Sequence, residues 1–311
     1  MLRILSSASQ KPYVRGLWRA GSVELVEVKW NRYLDGTSKL HFDPTEVEGQ
    51  DVVFFADFSD EAEVLRQWAV LCAIPRYGAN SLTIVLPFFP FATQDRVDTE
   101  GDIVMARTVA RLLEAVPFCH GKGPARLVIY DIHAQQERFF FGDSILVKTL
   151  ELPESMVRFQ LLMNENADTL IAFPDAGARK RFGKRFRGDI TCEKTRDPSD
   201  PLKRHITIIE GDPRGRNVLI IDDLIQTGGT LIECARRLLE AGAVSVSAYA
   251  THAVLPDHSM ERLVDSPLRQ ITVTDTNPTG VDRFLAGYVE GVGPKRLVLP
   301  MKDIYQQLFG V

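Results

Sequence analysis

The stretch NVLIIDDLIQTGGTLIECARRLLEAGA, Asn217 to Ala243, decides the fold of the second half of the chain. Val218 to Ile221 form a short apolar run, rich in β-branched residues, that is typical of a buried parallel strand. From Thr230 onward the apolar residues recur at helical spacing, and Gly242 is a C-terminal stop signal. The stretch therefore predicts a strand, a loop and a helix.

The loop between this strand and helix combines two carboxylates with a pair of glycines. In Thr227 to Thr230, Thr-Gly-Gly-Thr, the glycines let backbone N–H groups at the helix start approach a phosphate closely. Asp222 and Asp223 are suited to accept hydrogen bonds from a vicinal diol or to hold Mg²⁺. A diol beside a phosphate predicts a ribose phosphate, whereas the motif taken alone leaves open a solvated turn with two loop glycines.

The composition is that of an ordinary globular protein. The 311 residues are enough for two domains, and a net charge of −4 with 25% charged residues argues against an extended nucleic-acid surface. No apolar run reaches membrane-spanning length, so we expect neither nucleic acid nor membrane as a partner. The four cysteines are far apart in sequence and form no CxxC, which predicts a reducing compartment without disulfides or structural zinc.

The N-terminus carries basic residues before its first acidic one, Glu24, as organellar transit peptides do. Leu2 to Leu5 nevertheless predicts a first strand at the start of a folded domain. We therefore expect a cytoplasmic protein, with organellar import as the alternative.

Strand-like runs alternate with helical patterns along the chain, which favours parallel α/β sheets. The pattern breaks near Glu151 to Pro153, which predicts an N-terminal domain of residues 1–151 and a C-terminal domain of residues 152–296. A tail of residues 297–311 is expected to pack back on the first domain. The predicted strands are Val23–Val28, Asp51–Ala56, Leu82–Leu86, Arg126–Tyr130, Thr169–Phe173, Val218–Ile221, Val244–Ala250 and Gln270–Thr274.

Two stretches of the first half place polar residues just after predicted strands. LTIVLPFFPFATQDRVDTEGD, residues 82–102, leads into a polar loop but indicates little alone. RLVIYDIHAQQERFFFGD, residues 126–143, ends its strand with Asp131 and His133. An imidazole at that position is suited to ligating a metal or contacting a phosphate, although a lone histidine is more often structural.

A third stretch, IAFPDAGARKRF at residues 171–182, ends its strand in Asp-Ala-Gly. Asp175 offers a carboxylate for magnesium, and the backbone of Ala176 and Gly177 offers donors for a pyrophosphate. The cations that follow, residues 179–181, are interpreted as a solvated helix face.

In order, these three stretches and the Asp222 stretch resemble the ribose-phosphate diphosphokinase (PRPP synthetase) family over almost the whole chain. Type I phosphoribosyltransferases resemble only the second half and lack counterparts of FFPFATQD and DIHAQQERF. Thr93, Gln226 and the run LIQTGGTLIEC look like the divergent plant-type form, often called class II. The resemblance implies an α/β fold with two doubly wound parallel-sheet domains of the type I phosphoribosyltransferase-like fold.

The resemblance also implies an activity. ATP, or another nucleoside triphosphate, gives its diphosphoryl group to the anomeric hydroxyl of ribose 5-phosphate, yielding PRPP and AMP for nucleotide biosynthesis with Mg²⁺ as cofactor. It implies a homo-oligomer with the nucleotide site near a subunit interface. Where the common form binds an activating phosphate, Thr99 to Asp102 offers two carboxylates and no cation, so we expect activity without phosphate.

The resemblance assigns roles to individual residues. Those for catalysis, on a flexible loop, are Lys194 and Arg196. Those for ribose 5-phosphate are Asp222, Asp223, Gln226, Thr227, Gly228, Gly229 and Thr230. Those for ATP are Tyr33, Asp35 and Thr37 on a hairpin, with Thr93, Gln94, Asp95, Asp98 and His133. The pyrophosphate loop is Asp175, Ala176 and Gly177, and the expected metal ligands are Asp131, His133, Asp175 and Asp222.

Two alternatives to this enzyme stay open. One is a catalytically silent regulatory subunit of the same family, whose signature would be damage to the catalytic loop or metal positions. Lys194, Arg196, His133 and Asp175 are all present, which favours the enzyme. The other is a type I phosphoribosyltransferase. Without the family comparison, Cys192 to Pro201 indicates only a charged linker.

Overall fold

The chain folds into two compact units, Met1–Glu151 together with Met301–Val311, and Leu152–Pro300. The computed structural model describes residues 2–15, 23–151, 169–186, 188–197, 200–256 and 258–301, without the side chains of 195–197 and 200–205. None of the helices in these ranges has both the length and the apolar character that a membrane crossing needs.

In the described part of the first unit, six strands pair in parallel in the order β2-β1-β5-β6-β7-β8. A separate antiparallel hairpin is formed by β3 and β4. The strands are β1 Leu2–Ser6, β2 Val23–Leu25, β3 Lys29–Arg32, β4 Ser38–His41, β5 Asp51–Phe55, β6 Ser81–Leu86, β7 Arg126–Tyr130 and β8 Leu146–Leu150. The helices are α1 Lys11–Val14, α2 Glu61–Arg76 and α3 Met105–Glu114.

In the described part of the second unit, seven strands have the order β11-β10-β9-β12-β13-β14-β15, and only β10 and β11 pair antiparallel. The strands are β9 Leu170–Phe173, β10 Ile190–Asp197, β11 Asp200–Glu210, β12 Asn217–Ile225, β13 Ser245–Ala253, β14 Gln270–Thr274 and β15 Lys295–Leu299. The helices are α4 Ala176–Phe182, α5 Gly229–Glu240, α6 Ser259–Val264 and α7 Pro278–Leu285.

Strand β12 shows why its apolar run is continuous. Val218 and Ile220 pack in one core cluster with residues of α5, while Leu219 and Ile221 pack in another with residues of α4. Successive side chains of a strand point to opposite faces, so a strand covered on both faces needs apolar residues at every position. Burying each such side chain contributes about 1.5–3 kcal/mol.

The predicted α/β class with two parallel, doubly wound sheets is confirmed. Each of the eight predicted strands is present, with ends shifted by up to four residues, and the helix predicted from Thr230 begins at Gly229. Its stop is as predicted, since Gly242 has φ +97° and its N–H donates to the Leu239 carbonyl at 2.9 Å.

Without the family comparison, Cys192 to Pro201 indicated a charged linker, but β10 and β11 pair across the described part of this segment. Its charged residues are tolerated because cross-strand pairing can override weak strand propensity. Residues 297–299 belong to β15, paired with β14, and not to a tail. The rest of the predicted tail, from 302 onward, lies outside the described residues.

Candidate active site

The second sheet reverses its strand order between β9 and β12. From β9 the chain adds β10 and β11 on one side, and it then returns to build β12 to β15 on the other. Ligands of doubly wound sheets bind beyond the carboxyl ends of the strands at such a reversal. Asp175 follows β9, and Asp222 and Asp223 lie towards the end of β12, so the fold places both acidic motifs at this point.

Asp175 is the N-cap residue of α4. Its Oδ1 accepts a hydrogen bond from the Ala178 N–H at 2.9 Å, which explains why an aspartate suits this position. Gly177 lies so close that a Cβ there would be 3.1 Å from the same oxygen. The Asp-Ala-Gly segment is therefore a compact turn whose glycine keeps the carboxylate uncrowded.

The adjacent carboxylates Asp222 and Asp223 have different surroundings. Asp222 is half-buried and accepts a hydrogen bond at Oδ1 from the Asp223 N–H at 2.9 Å. Asp223 is only 6% exposed, and its two oxygens contact the Leu224 N–H at 2.9 Å and Arg181 at 3.2 Å. Burial, together with the negative charges of Asp223 and Asp175, raises the pKa of Asp222 well above its ordinary value.

The phosphate-loop prediction rests on Gly228, which has φ +73° and caps α5. A Cβ at this position would also meet Leu263 Cδ2 at 2.6 Å, so both conformation and space require glycine. A Cβ at Gly229 would lie 3.3 Å from Arg262 Nη2, which places that guanidinium beside the loop. Sequence reasoning missed Arg262, because α6 follows the loop only after a further strand.

Lys194 lies on β10, opposite Ile206 of β11. Its Nζ is 3.4 Å from Thr230 Oγ1 in the first turn of α5. The structure thus brings the predicted catalytic lysine to the predicted phosphate loop. The backbone of Arg196 continues β10, and its side chain lies outside what the structure describes.

Arg181 corrects the interpretation of residues 179–181 as a solvated face. Its side chain is 15% exposed and pairs with Asp223, whereas Arg179 bonds Glu210 and Thr191 and is half-exposed. The helical phase separates the two cations, and sequence alone did not identify which of them turns inward.

The cysteines are also closer than their spacing in sequence indicated. The Sγ atoms of Cys192 on β10 and Cys234 on α5 are 3.6 Å apart and buried, and both residues are free thiols. The contact fixes the base of β10 against the helix that begins at the phosphate loop.

In the first unit, the buried residue Asp131 directly follows β7 and has φ +43°. This conformation is uncommon for residues other than glycine and is found disproportionately at functional sites. His133 is exposed two residues later. Asp95 Oδ2 lies 3.5 Å from Gln136 Nε2, so the loops after β6 and β7 approach each other. Thr93, Gln94 and Asp98 are exposed in the loop after β6.

The predicted nucleotide hairpin has a tight turn between β3 and β4. Asp35 Oδ1 accepts hydrogen bonds from the Thr37 N–H at 2.9 Å and its hydroxyl at 2.6 Å, which lower the pKa of Asp35. Tyr33 is exposed, and Lys39 Nζ lies 5.3 Å from its ring centre. The turn therefore presents an ordered carboxylate and an exposed aromatic ring.

The donor set at the second sheet fits magnesium. No group of three His, Cys, Asp or Glu side chains within the described ranges forms a metal site by itself. Mg²⁺ needs only one or two carboxylates, because water and substrate phosphates complete its shell. Asp175 and Asp222 supply carboxylate oxygens, and a divalent cation would offset the charge that raises the pKa of Asp222. Asp131 and His133, the other predicted ligands, belong to the first unit.

Comparisons with known proteins agree with the predicted family. A model of the N-terminal domain of ribose phosphate pyrophosphokinase matches residues 2–116. A model of the phosphoribosyl synthetase-associated domain matches residues 194–297. The crystal structure of phosphoribosylpyrophosphate synthetase from Mycobacterium smegmatis has the same fold, with a TM-score of 0.80, 24% identity, and coverage of 99% of this chain and 97% of that one.

Two rice relatives extend the match (Oryza sativa subsp. japonica). The chloroplastic ribose-phosphate pyrophosphokinase 3 is 43% identical over 248 residues, which are 78% of this chain and 59% of its own length. Ribose-phosphate pyrophosphokinase 4 is 42% identical over 291 residues, covering 92% of this chain and 84% of the relative. Both are plant proteins, as the plant-type resemblance predicted. The chain belongs to the ribose-phosphate pyrophosphokinase family.

Proposed function

We propose that the protein is a ribose-phosphate diphosphokinase, which transfers the diphosphoryl group of ATP to the anomeric oxygen of ribose 5-phosphate. The observation that supports this most directly is the 3.4 Å contact between Lys194 Nζ and Thr230 Oγ1. This contact brings Lys194, the lysine expected to neutralise charge on the transferring group, to the loop that is suited to bind the 5-phosphate. The acidic motifs at the ends of β9 and β12 lie at the same edge of the sheet and complete the arrangement.

The phosphate loop and Asp222 hold the sugar phosphate. Backbone N–H groups of residues 226–230 bind the 5-phosphate, where the left-handed Gly228 opens the loop to the anion. The half-buried Asp222 accepts hydrogen bonds from the ribose hydroxyls, which orients the anomeric hydroxyl. Holding both ends of the sugar means that most of its translational and rotational entropy is already lost on binding and need not be lost in the transition state.

Transfer then depends on positioning and charge. The anomeric oxygen forms a bond to the β-phosphorus of ATP and loses its proton to solvent, the bond from that phosphorus to the α,β-bridging oxygen breaks, and AMP leaves. Lys194, with Arg196, stabilises the negative charge on the transferring oxygens. Asp175 and Asp222 would hold Mg²⁺, which would supply further charge neutralisation.

The nucleotide contacts and the assembly are further parts of the proposal. Residues 93–98 with the hairpin turn at 33–37 contact ATP, and the exposed Tyr33 suits stacking on a base. We propose a homo-oligomer in which the nucleotide site lies near a subunit interface, and a cytoplasmic location. Sedimentation velocity and fractionation of source cells test these two points.

A coupled assay of AMP release tests the function. Purified protein with ATP and Mg²⁺ should release AMP only when ribose 5-phosphate is present, and PRPP should form in equal amount. A protein that binds ribose 5-phosphate but releases no AMP would instead be a regulatory subunit. Pyrophosphate release from PRPP that requires a nucleobase would indicate a phosphoribosyltransferase.

A further inference from the structure

Arg181 joins the two acidic motifs of the site. It lies on α4, whose N-cap residue is Asp175, and its Nη1 is 3.2 Å from Asp223 Oδ2. The two side chains are only 15% and 9% exposed. The ion pair therefore connects the helix after the pyrophosphate loop to the end of β12.

Asp223 is held from three directions. Oδ1 accepts the Leu224 N–H at 2.9 Å, Oδ2 faces Arg181, and its own N–H donates to Asp222 Oδ1 at 2.9 Å. Both of its oxygens therefore already have partners within the protein. Asp222 is the more exposed of the two residues, which favours it as the one that meets a ligand.

The charge of Asp223 also needs a partner. A nearly buried carboxylate without a countercharge is costly, and a second carboxylate on the next residue increases that cost. Arg181 offsets one of the two negative charges. Arg179, on the same helix as Arg181, pairs at the surface with Glu210 of β11 and gives no comparable link to the acidic residues.

We propose that Arg181 is a positioning residue of the ribose-phosphate site. It holds Asp223 and, through the Asp223 N–H, fixes the carboxylate of Asp222 in the direction of the ribose hydroxyls. The two adjacent aspartates then have separate roles, because Asp222 contacts the sugar and Asp223 supports it. This proposal deepens the proposed function and rests on it.

The test separates sugar binding from turnover. Arg181→Gln should raise the KM for ribose 5-phosphate about tenfold or more, with a smaller change in kcat, because Asp222 loses its fixed orientation in the ground state. Arg181→Lys keeps the charge without the planar fork, so it should recover part of the loss. Arg179→Gln is the matched control and should leave KM unchanged.

A double-mutant cycle tests the route through Asp223. In an Asp223→Asn background, Arg181→Gln should have little additional effect, because its partner is already altered. Independent, multiplicative effects of the two substitutions on KM would overturn the proposal. So would a KM for Arg181→Gln equal to that of the wild type.

Calorimetric titration of ribose 5-phosphate with Mg²⁺ distinguishes this proposal from the proposed function. A wild-type protein that binds no ribose 5-phosphate contradicts the function itself. A wild type that binds, with Arg181→Gln binding as tightly as Arg179→Gln, contradicts only the role of Arg181. Arg181→Lys also keeps the test possible if Arg181→Gln fails to fold.

Discussion

The two sheets reverse their strand order in the same way, yet only one reversal carries the predicted sugar-phosphate residues. The first sheet reverses between β1 and β5, and the second between β9 and β12. At the second reversal lie Asp175, Asp222 and the phosphate loop. At the first reversal, polar groups of the protein bond one another. Ser9 Oγ donates to Asp57 Oδ2 at 2.5 Å. The Asp57 N–H donates to Gln67 Oε1, and Gln67 Nε2 donates to the Asp57 carbonyl.

The difference lies in the loops and not in the topology. After β12 a glycine pair leads into the twelve-residue helix α5. After β1 the chain continues as Ser-Ala-Ser-Gln into the four-residue helix α1, without a glycine. A doubly wound sheet thus provides a position at its reversal, and the residues of the following loop decide whether a ligand or the protein itself occupies it.

The largest expected effect is that of Lys194→Ala. Turnover should fall about a hundredfold or more, because the ammonium acts on charge that develops in the transition state. The KM for ribose 5-phosphate should change little. Steady-state kinetics with both substrates varied checks this, with the exposed Lys184→Ala as control. A defect confined to substrate affinity would contradict the role of Lys194.

Gly228→Ala should have the next largest effect. The added Cβ would be 2.6 Å from Leu263 and on a backbone with φ +73°, so the phosphate loop must shift. We expect the KM for ribose 5-phosphate to rise about tenfold, alongside a loss of about 1–3 kcal/mol in stability.

Gly215→Ala is the matched control for this substitution. Gly215 has a similar φ of +70°, and a Cβ there would meet nothing within 4 Å. Thermal melts should show a smaller loss of stability for it, and its KM should equal that of the wild type. Equal KM values for both variants would disprove the phosphate-loop assignment.

Arg262→Ala should have a moderate effect on the sugar phosphate. Its guanidinium lies beside Gly229 and is exposed, so a contact with the 5-phosphate would be partly screened by solvent. We expect the KM for ribose 5-phosphate to rise several-fold, about fivefold, and this rise to shrink at high salt. Arg269→Ala, another exposed arginine, serves as control; a salt-independent KM would argue against the contact.

The sequence predicted the strands well where burial dictates the residue type. Val218 to Ile221 had to be apolar at each position because both faces of β12 are covered. The acidic pair and the glycines were predicted because their chemistry is local to one loop. The roles of the two aspartates were not separable, since they depend on Arg181, which is 42 residues away from Asp223.

The remaining misses have the same origin. The Cys192–Cys234 contact also joins residues 42 apart, one on β10 and the other on α5. The pairing of β10 with β11 was missed because charged residues hide the alternation of a strand, and cross-strand partners decide such cases. Contacts between residues far apart in the chain could thus not be predicted from the sequence alone.

Asp57→Asn tests the filled reversal of the first sheet. Burial raises the pKa of Asp57, so its contribution to stability is present at acid pH and is lost as pH rises through the raised pKa. The variant should match the wild type in acid and be more stable than it at neutral pH, where the wild-type carboxyl must carry a buried charge. Turnover should be unchanged. Melting curves from acid to neutral pH check the sign of this stability difference. A loss of activity in a folded variant would indicate that the strand reversal of the first sheet also has a functional role.

The smallest expected effect is that of inorganic phosphate on activity. We expect the enzyme to be nearly fully active without it. In the loop after β6, Asp102 Oδ2 already accepts the N–H groups of Asp98 at 3.2 Å and Thr99 at 2.8 Å, and Arg96 pairs with Asp98 at 3.0 Å. Two backbone donors of this loop are therefore already occupied, and its carboxylates repel phosphate. ADP should inhibit only in competition with ATP. Activity in a phosphate-free buffer, with chloride added to match ionic strength, is the measurement. A rise of about tenfold with millimolar phosphate, beyond the few-fold effect of screening, would show that an activating anion site exists despite this loop.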